Sequence, residues 1–344
     1  MTVRVKLFIA TIDVVYAKLI SDNISEFHAD KIDVSICCAL ENLNDALSKC
    51  RYDAALFDAA FIRYADTGKI NLPLLLWSEL DPIDEIPEGI GIVNKYQRIS
   101  SIVSSVLERY AKVSKSHYDP ESKKANITAV WSASGGAGKT SVALAYALSN
   151  SVEGKEVFYL NLEDFTGVPA YFTGNGKSIS TVFEMLENRD GNLNMLIRGV
   201  SCCDKGITFL CGPDNYEDMY LLSDKNVHEL VTCCSGLSEE LVIDLSSICD
   251  TRTKKVFELA DNILIVTLQS DPAKTKLAQF ISQNNVFECI QEKVTLIANM
   301  GAVINEPAIG PVISLPFVQS GDAIGVCKAL SETELLARKT WIQV

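Results

Sequence analysis

Histidine is scarce in this chain of 344 residues: it occurs three times, and no two of the 11 cysteines have the C-x-x-C spacing. Structural zinc sites and iron–sulfur clusters need several such ligands, so the sequence disfavours both. No apolar run approaches the roughly 20 residues that a membrane-spanning helix needs. The first run, "MTVRVKLFIAT", is too brief and too quickly polar for a signal sequence. We therefore expect a cytoplasmic protein whose cysteines are reduced thiols.

Basic residues are the minority among the charged ones. Lys and Arg number 31 against 44 Asp and Glu, which gives a net charge of −13. Binding to a DNA backbone depends on clusters of Lys and Arg, and none is evident. The balance therefore disfavours nonspecific binding to nucleic acid. An apolar content of 48% and a charged content of 22% are those of a globular protein. The length predicts two domains.

A polar segment divides the chain. Residues 109–126, "RYAKVSKSHYDPESKKAN", interrupt the apolar pattern and contain Pro120. We interpret residues 113–125 as a linker. The predicted domains are residues 1–112 and residues 126–344.

Strands and helices alternate before the linker. The runs "VRVKLFIAT", "KIDVSICCAL", "YDAALFDAAF", "LPLLLWS" and "GIGIVNK" read as strands, and amphipathic segments separate most of them. Five strands alternating with helices predict a parallel sheet covered on both faces. The length of about 110 residues fits the flavodoxin-like order, and the pattern resembles response-regulator receiver domains.

Receivers place a phosphate-accepting Asp after the third strand, a Ser or Thr after the fourth and a Lys after the fifth. Asp58, Ser78 and Lys95 occupy these places. Receivers also need an acidic pair after the first strand to hold Mg²⁺, and here the chain reads Ala-Thr-Ile-Asp over residues 10–13. One carboxylate leaves a hard cation with too few oxygen ligands. We interpret the domain as a structural receiver, with phosphorylation of Asp58 as the alternative.

The architecture restarts after the linker, where "GGAGK" lies between the strand "NITAVWSAS" and the helix "TSVALAYALSN". A Gly-rich loop that opens a helix binds phosphate through converging backbone N–H groups and the helix dipole. Lys139 would reach the outer phosphates and the Thr140 hydroxyl would ligate Mg²⁺. The first Gly of the usual pattern is replaced by Ala133. The sequence still predicts an ATP and Mg²⁺ site.

The stretch "SASGGAGKTS" resembles the deviant phosphate loop of the MinD/ParA family, K-G-G-x-G-K-[ST]. In that family the first lysine reaches the partner's nucleotide across a dimer interface. Ser134 stands at that lysine's place. The resemblance implies that the nucleotide is bound by Ser134, Gly135, Gly136, Ala137, Gly138, Lys139, Thr140 and Ser141.

Further matches to this family follow in order. "VFYLNLED" places Glu163 where the family orients water, and "LVIDL" ends in Asp244, the carboxylate that holds Mg²⁺ through water. "VTLIANM" places Asn299 where relatives contact adenine, and "ISLPFV" brings Pro316 to the loop over the base. The resemblance thus implies Lys139, Glu163 and Asp244 as catalytic residues. On the sequence alone, Asn299 can equally be a turn residue and Glu163 a solvated acid.

An atypical receiver joined to a MinD/ParA-like ATPase looks like the TadZ/CpaE family of tight-adherence pilus assembly proteins. The resemblance covers nearly the whole chain. It implies an α/β protein in which a flavodoxin-like domain precedes a P-loop NTPase domain with a mostly parallel sheet and flanking helices. It also implies a homodimeric cytosolic factor that acts with the pilus assembly machinery and marks its site, often a cell pole.

Ser134 is short and neutral, so it cannot place a charge on a partner's phosphates. A cation supplied in trans is worth about 10³ to 10⁵ in phosphoryl-transfer rate. We expect intact ATP binding and slow hydrolysis, unless a cation such as Arg252, Lys254 or Lys255 substitutes. The alternatives are a positioning ATPase with normal turnover and a phosphorylation-controlled signalling protein.

The last residues, "SETELLARKTWIQV", are short and poorly amphipathic. They predict a packed helix more than the membrane-binding helix found in MinD. Membrane contact is therefore expected to be indirect at most.

Overall fold

The computed structural model describes residues 4–29, 31–49, 51–79, 90–114, 125–173, 178–189, 191–303 and 310–333. Most of the predicted linker, and all but three residues of the C-terminal segment "SETELLARKTWIQV", lie outside these ranges. The described residues include ten cysteines, which form no disulfide with one another. Within the same ranges, no helix combines the length and the apolar character needed to cross a bilayer.

The strands of the described residues are β1 (Val5–Ala10), β2 (Ile32–Cys37), β3 (Ala54–Phe57), β4 (Leu72–Trp77), β5 (Gly91–Asn94), β6 (Asn126–Trp131), β7 (Val157–Leu162), β8 (Cys202–Asp204), β9 (Ile207–Phe209), β10 (Glu240–Leu245), β11 (Asn262–Thr267), β12 (Val294–Ala298) and β13 (Val312–Ser314). The α-helices are α1 (Val14–Phe27), α2 (Leu43–Lys49), α3 (Ala59–Ile62), α4 (Ile99–Val113), α5 (Lys139–Val152), α6 (Ser180–Asn188), α7 (Leu193–Val200), α8 (Asp224–Ser235), α9 (Thr251–Leu259), α10 (Asp271–Ile281), α11 (Asn284–Ile290) and α12 (Ala323–Ser331).

The chain forms two compact units, Met1–Tyr118 with Asp190–Val200 and Asp119–Arg189 with Ser201–Val344. The first unit holds a five-stranded sheet in the order β2-β1-β3-β4-β5. Its neighbouring strands are all parallel, and the order is that of flavodoxin-like folds. Helices lie between β1 and β2, between β2 and β3, and between β3 and β4, and they return the chain to the same edge of the sheet, which makes these strands parallel.

Local sequence explains the helices of the first unit. Asp13 caps α1, where its side chain accepts a hydrogen bond of 2.9 Å from the backbone N–H of Tyr16. Helix α4 buries the apolar stripe that its spacing predicts. The residues of that stripe are Ile102, Val103, Val106, Leu107 and Tyr110.

Helix α7 belongs to the first unit although it comes from the second half of the chain. It packs on α4, and a Cβ on Gly199 would lie 2.7 Å from Leu107 Cβ. The backbone N–H of Asn192 donates to the carbonyl of Ala111 at 2.7 Å. The amphipathic pattern of α7 shows that one face is buried but not against which helix. The predicted boundary at residue 126 therefore assigned this helix differently.

The second unit contains an eight-stranded sheet in the order β13-β12-β11-β6-β10-β7-β9-β8. All neighbours are parallel except β8 and β9. Packing fixes the central strand, since Trp131 at the end of β6 is buried and its ring lies 4.5 Å from Phe280 and 5.8 Å from Phe257. Strand β10 lies between β6 and β7, so Asp244 faces Val130 and Asn161 in register. Residues at the carboxyl ends of these three strands therefore converge.

Candidate nucleotide site

The Gly-rich loop connects β6 to α5, as predicted. Gly136 and Gly138 have φ values of +72° and +86°, a region that side chains with a Cβ rarely adopt. A Cβ on Gly138 would also lie 2.5 Å from Asn299 Nδ2. The two glycines are therefore required by backbone conformation, and at Gly138 by the close approach of a second loop.

Ser132 orders the start of this loop. Its hydroxyl accepts from the backbone N–H of Ser134 at 3.1 Å and donates to the Ser134 carbonyl at 3.0 Å. Ser134 is 8% exposed. These hydrogen bonds hold residue 134 in the loop. Its side chain is short where the resemblance predicts a lysine.

Lys139 begins α5 and is largely buried. Its ammonium lies 3.6 Å from Glu163 Oε1 and 3.2 Å from the Ser247 hydroxyl. The other oxygen of Glu163 accepts from the Thr140 hydroxyl at 3.5 Å. Glu163 therefore bridges the two residues of the loop that the motif assigns to phosphate and metal. Ser247 was missed by sequence reasoning, because a serine two residues after a strand carries no pattern of its own.

Asp244 is fully buried at the end of β10. The Tyr159 hydroxyl donates to its Oδ2 at 2.8 Å, and Asn161 Nδ2 donates to the same oxygen at 3.3 Å. No donor among the described residues has hydrogen-bonding geometry to Oδ1, although the Thr140 hydroxyl is near enough to favour the ionised carboxylate. Tyr159 and Asn161 therefore hold this carboxylate by one oxygen.

Burial raises the pKa of Asp244 to about 7, and the nearby carboxylate of Glu163 adds to the shift. Thr140, Tyr159 and Lys139 oppose it. Burial also raises the pKa of the Tyr159 hydroxyl well above its usual value, so Tyr159 stays a donor. The site thus contains an acid that is costly to ionise even with Lys139 nearby.

The donor set fits Mg²⁺. A hard cation prefers hydroxyl, carboxylate and water oxygens. Asp244 contributes a buried oxygen without a hydrogen bond from the described residues, and the Thr140 hydroxyl is nearby. A divalent cation bound here would remove the electrostatic cost of ionising Asp244.

The two predicted base contacts lie in different surroundings. Asn299 is buried, and its Nδ2 donates to the carbonyl of Ala137 in the loop at 2.9 Å. Its amide therefore supports the Gly-rich loop, and a contact with adenine stays a prediction. Pro316 is exposed beside Phe317, which is 68% exposed.

The cations considered as substitutes for the missing lysine differ in how they are held. Arg252 is engaged, with its Nη2 2.7 Å from Asp250 and its Nη1 donating to the Met219 carbonyl at 2.6 Å. Lys255 pairs with Glu258 at 2.8 Å. Lys254 is exposed and has no ion pair among the described residues. Lys254 is therefore the candidate that needs no existing contact to break.

In the first unit, Asp58 and Lys95 meet at the carboxyl edge of the sheet, as predicted. Lys95 Nζ lies 3.1 Å from both carboxylate oxygens of Asp58. The Thr11 hydroxyl also donates to Asp58. Thr11 is one of the residues 10–13, where a receiver has its acidic pair. The acid of that stretch, Asp13, caps α1. The carboxylate of Asp58 is therefore buried and neutralised from within the unit. Ser78 is also buried.

Comparison with solved structures identifies a fold that this chain shares. A ParA family ATPase from Chlorobium tepidum TLS matches 62% of this chain and 95% of its own length, at 19% identity and a TM-score of 0.51. This likeness shows an α/β P-loop NTPase fold with a mostly parallel sheet and flanking helices.

Two further structures have TM-scores below 0.5, so the fold conclusion comes from the first. A putative plasmid partition protein from Borrelia burgdorferi B31 bound to AMPPNP matches 63% of this chain and all of its own length, at 15% identity and a TM-score of 0.47. The septum site-determining protein MinD from Pyrococcus horikoshii OT3, complexed with Mg-ADP, matches 64% and 99%, at 11% and 0.46. No family model matches the sequence, and no curated protein matches it.

Proposed function

We propose that the second unit binds ATP with Mg²⁺ and acts as a homodimeric nucleotide switch that hydrolyses ATP slowly. The observation that carries the proposal is the convergence of Lys139 and Thr140 with Asp244, whose Oδ1 has no hydrogen bond from the described residues. Backbone N–H groups of the loop and the start of α5 would bind the phosphates.

Each residue has a distinct task in this site. Lys139 would bind the outer phosphates, and to do so it must leave Glu163 at 3.6 Å and Ser247 at 3.2 Å. Thr140 and Asp244 would hold Mg²⁺, Asp244 through water. When bound, the metal supplies positive charge that offsets charge on the phosphates. Glu163, released from Lys139, would orient water. Binding therefore rearranges the Lys139–Glu163 contact.

Slow hydrolysis follows from residue 134. A serine supplies no charge where charge develops in the transition state, and a trans cation is worth about 10³ to 10⁵ in rate. Binding depends on the loop amides, Lys139 and the metal, all of which Ser134 leaves in place. We therefore expect the site to bind ATP and to hydrolyse it slowly.

A finer proposal concerns the biological role. The order of the two units, a flavodoxin-like sheet followed by a P-loop NTPase fold, is the order found in TadZ/CpaE-like proteins. We infer that the protein is a cytoplasmic localisation factor for pilus assembly that binds the assembly machinery. A fluorescent fusion imaged with and without the pilus genes tests this role. A focus that persists without those genes, with piliation unaffected by loss of the protein, would contradict it.

Steady-state phosphate release tests the switch, measured across protein concentrations beside light scattering for mass. We expect a dimer when ATP is bound. We also expect a turnover below about 1 per second, which is the lower end of the range typical of enzymes. Ser134→Lys should raise the rate more than it raises affinity, because a trans cation acts mainly in the transition state.

Asn285→Lys is the matched control, since it adds the same charge at an exposed position of α11. Calorimetry with Mg-ATP checks that Ser134→Lys still binds. Fast turnover by the wild type would contradict the slow switch and would favour a positioning ATPase with normal turnover. An unchanged rate in a Ser134→Lys dimer would mean that another residue, with Lys254 the first to test, supplies the charge.

A further inference from the structure

An open cleft of about 310 Å³ lies between two loops of the second unit. The loop after β7 contributes Asp164, Phe165 and Thr166, and the loop after β9 contributes Asp214 and Tyr216. A Cβ on residue 212 would lie 2.1 Å from Thr166 Cγ2. The glycine at that position therefore allows the two loops to approach each other this closely beside the cleft.

Two aromatic rings form one wall. Phe165 is 80% exposed and Tyr216 is 44% exposed. Their rings are stacked, with centroids 5.5 Å apart and an interplanar angle of 25°. An exposed stacked pair presents flat apolar faces whose π electrons attract cations. This wall suits a planar cation.

Carboxylates lie beside that wall. Asp164 and Asp214 both line the cleft. Asp214 is exposed, and its carboxylate has no hydrogen bond or ion pair among the described residues. Aromatic faces next to carboxylates complement a guanidinium group, which stacks and donates in its plane at the same time.

The surface next to the cleft already holds one guanidinium in this way. Arg252 lies over the ring of Tyr220, with Cζ 5.5 Å from the ring centroid, and its Nη1 is 3.9 Å from Asp164 Oδ1. Tyr220 in turn contacts Tyr216 edge to face at 6.4 Å. The aromatic row thus extends from an occupied guanidinium site to an exposed one.

We propose that the cleft binds an arginine side chain from a basic segment of a partner protein. Asp164 and Asp214 line the cleft and the chain has a net charge of −13, so a basic segment complements this cleft better than a segment of a second, equally acidic copy would. The net negative charge attracts a basic partner, and the aromatic rings and carboxylates of the cleft bind its arginine side chain. Arginine binding here does not require the proposed ATP site, so the loss of one leaves the other testable.

Fluorescence anisotropy with two labelled peptides, (Arg-Gly)4 and (Lys-Gly)4, tests the proposal on the full chain. The peptides carry equal charge, so a difference reports on the planar group. We expect tighter binding of the arginine peptide. Phe165→Ala with Tyr216→Ala should weaken it by about fivefold or more, which is the size of two exposed cation–π contacts. Asp214→Asn, which keeps both rings, should weaken it by about twofold or more.

Tyr64→Ala is the matched control, because Tyr64 is 61% exposed in the first unit and its loss should leave the affinity unchanged. Equal binding of both peptides, or equal losses in Tyr64→Ala and the double variant, would overturn the proposal in favour of diffuse charge attraction. A fall in dimer mass in the double variant would also overturn it, since the cleft would then be a contact between copies. Both rings are exposed, so we expect the double variant to fold, and circular dichroism checks this.

Discussion

Asp58 and Asp244 are two buried aspartates at the carboxyl ends of parallel strands, and the protein treats them in opposite ways. Asp58 has Lys95 at 3.1 Å from both oxygens and a hydrogen bond from Thr11. Asp244 is held by Tyr159 and Asn161 through one oxygen. The first carboxylate is paired within its unit, whereas the second pays the cost of burial and has a raised pKa. Their partners, more than their location, separate a structural acid from a candidate ligand.

The largest effect should come from removing the partner of the structural acid. Lys95→Ala leaves Asp58 buried and unpaired, since both side chains are 9% exposed. Breaking such a pair costs about 3–5 kcal/mol. We expect urea unfolding to show that loss in the first unit. Lys112→Ala is the control: its pair with Glu108, at 3.9 Å, is partly exposed and should contribute about 1 kcal/mol or less. Equal losses in the two variants would remove the contrast with Asp244.

Lys139→Ala should weaken ATP binding by about tenfold or more, or about 1.4 kcal/mol. The variant removes the positive side chain of the loop while the amides stay. Calorimetry with Mg-ATP measures the effect. Lys274→Ala removes an exposed lysine of α10 and serves as the control. Equal affinity for wild type and Lys139→Ala would refute the site.

The raised pKa of Asp244 predicts how the nucleotide-free protein responds to pH. The folded state holds a proton at about pH 7 that the unfolded chain, with a pKa near 3.8, releases. The stability from this group is therefore full below the unfolded pKa and lost as pH rises through about 7. Asp244→Asn mimics the protonated form. The excess of its melting temperature over that of wild type should be small near pH 4, grow as pH rises to about 7, and reach on the order of several degrees at pH 8. A difference that stays constant with pH would show that Asp244 is not the titrating group.

The smallest expected effect concerns Asp58, which we expect not to be phosphorylated. Its oxygens are engaged by Lys95 and Thr11, and residues 10–13 supply one carboxylate where a receiver needs an acidic pair for Mg²⁺. Incubation with acetyl phosphate and Mg²⁺ should leave the mass of the intact protein unchanged. A mass shift that Asp58→Asn abolishes would show that the two aspartates are less different than their contacts indicate.

Sequence reasoning reached the places of these residues more readily than their partners. Periodicity predicted the strands, the resemblance to receiver domains put Asp58 and Lys95 after two of them, and the loop motif put Lys139 at the start of a helix. Thr11, Tyr159 and Ser247 were missed, because a hydroxyl side chain in or just after a strand carries no distinctive spacing. Helix α7 has a clear apolar face, but amphipathicity does not name the helix that covers it.

The amino-acid sequence by itself determined the local features: alternating strands and helices, glycines at residues 136 and 138, and a lysine and threonine that enter the same helix. These depend on backbone preference and neighbours within one turn. The tertiary structure decided which acid is paired. Tyr159 is 85 residues from Asp244, and Thr11 is 47 residues from Asp58. Contacts at such separations arise when strands align in a sheet, so the partners of each acid follow from the fold.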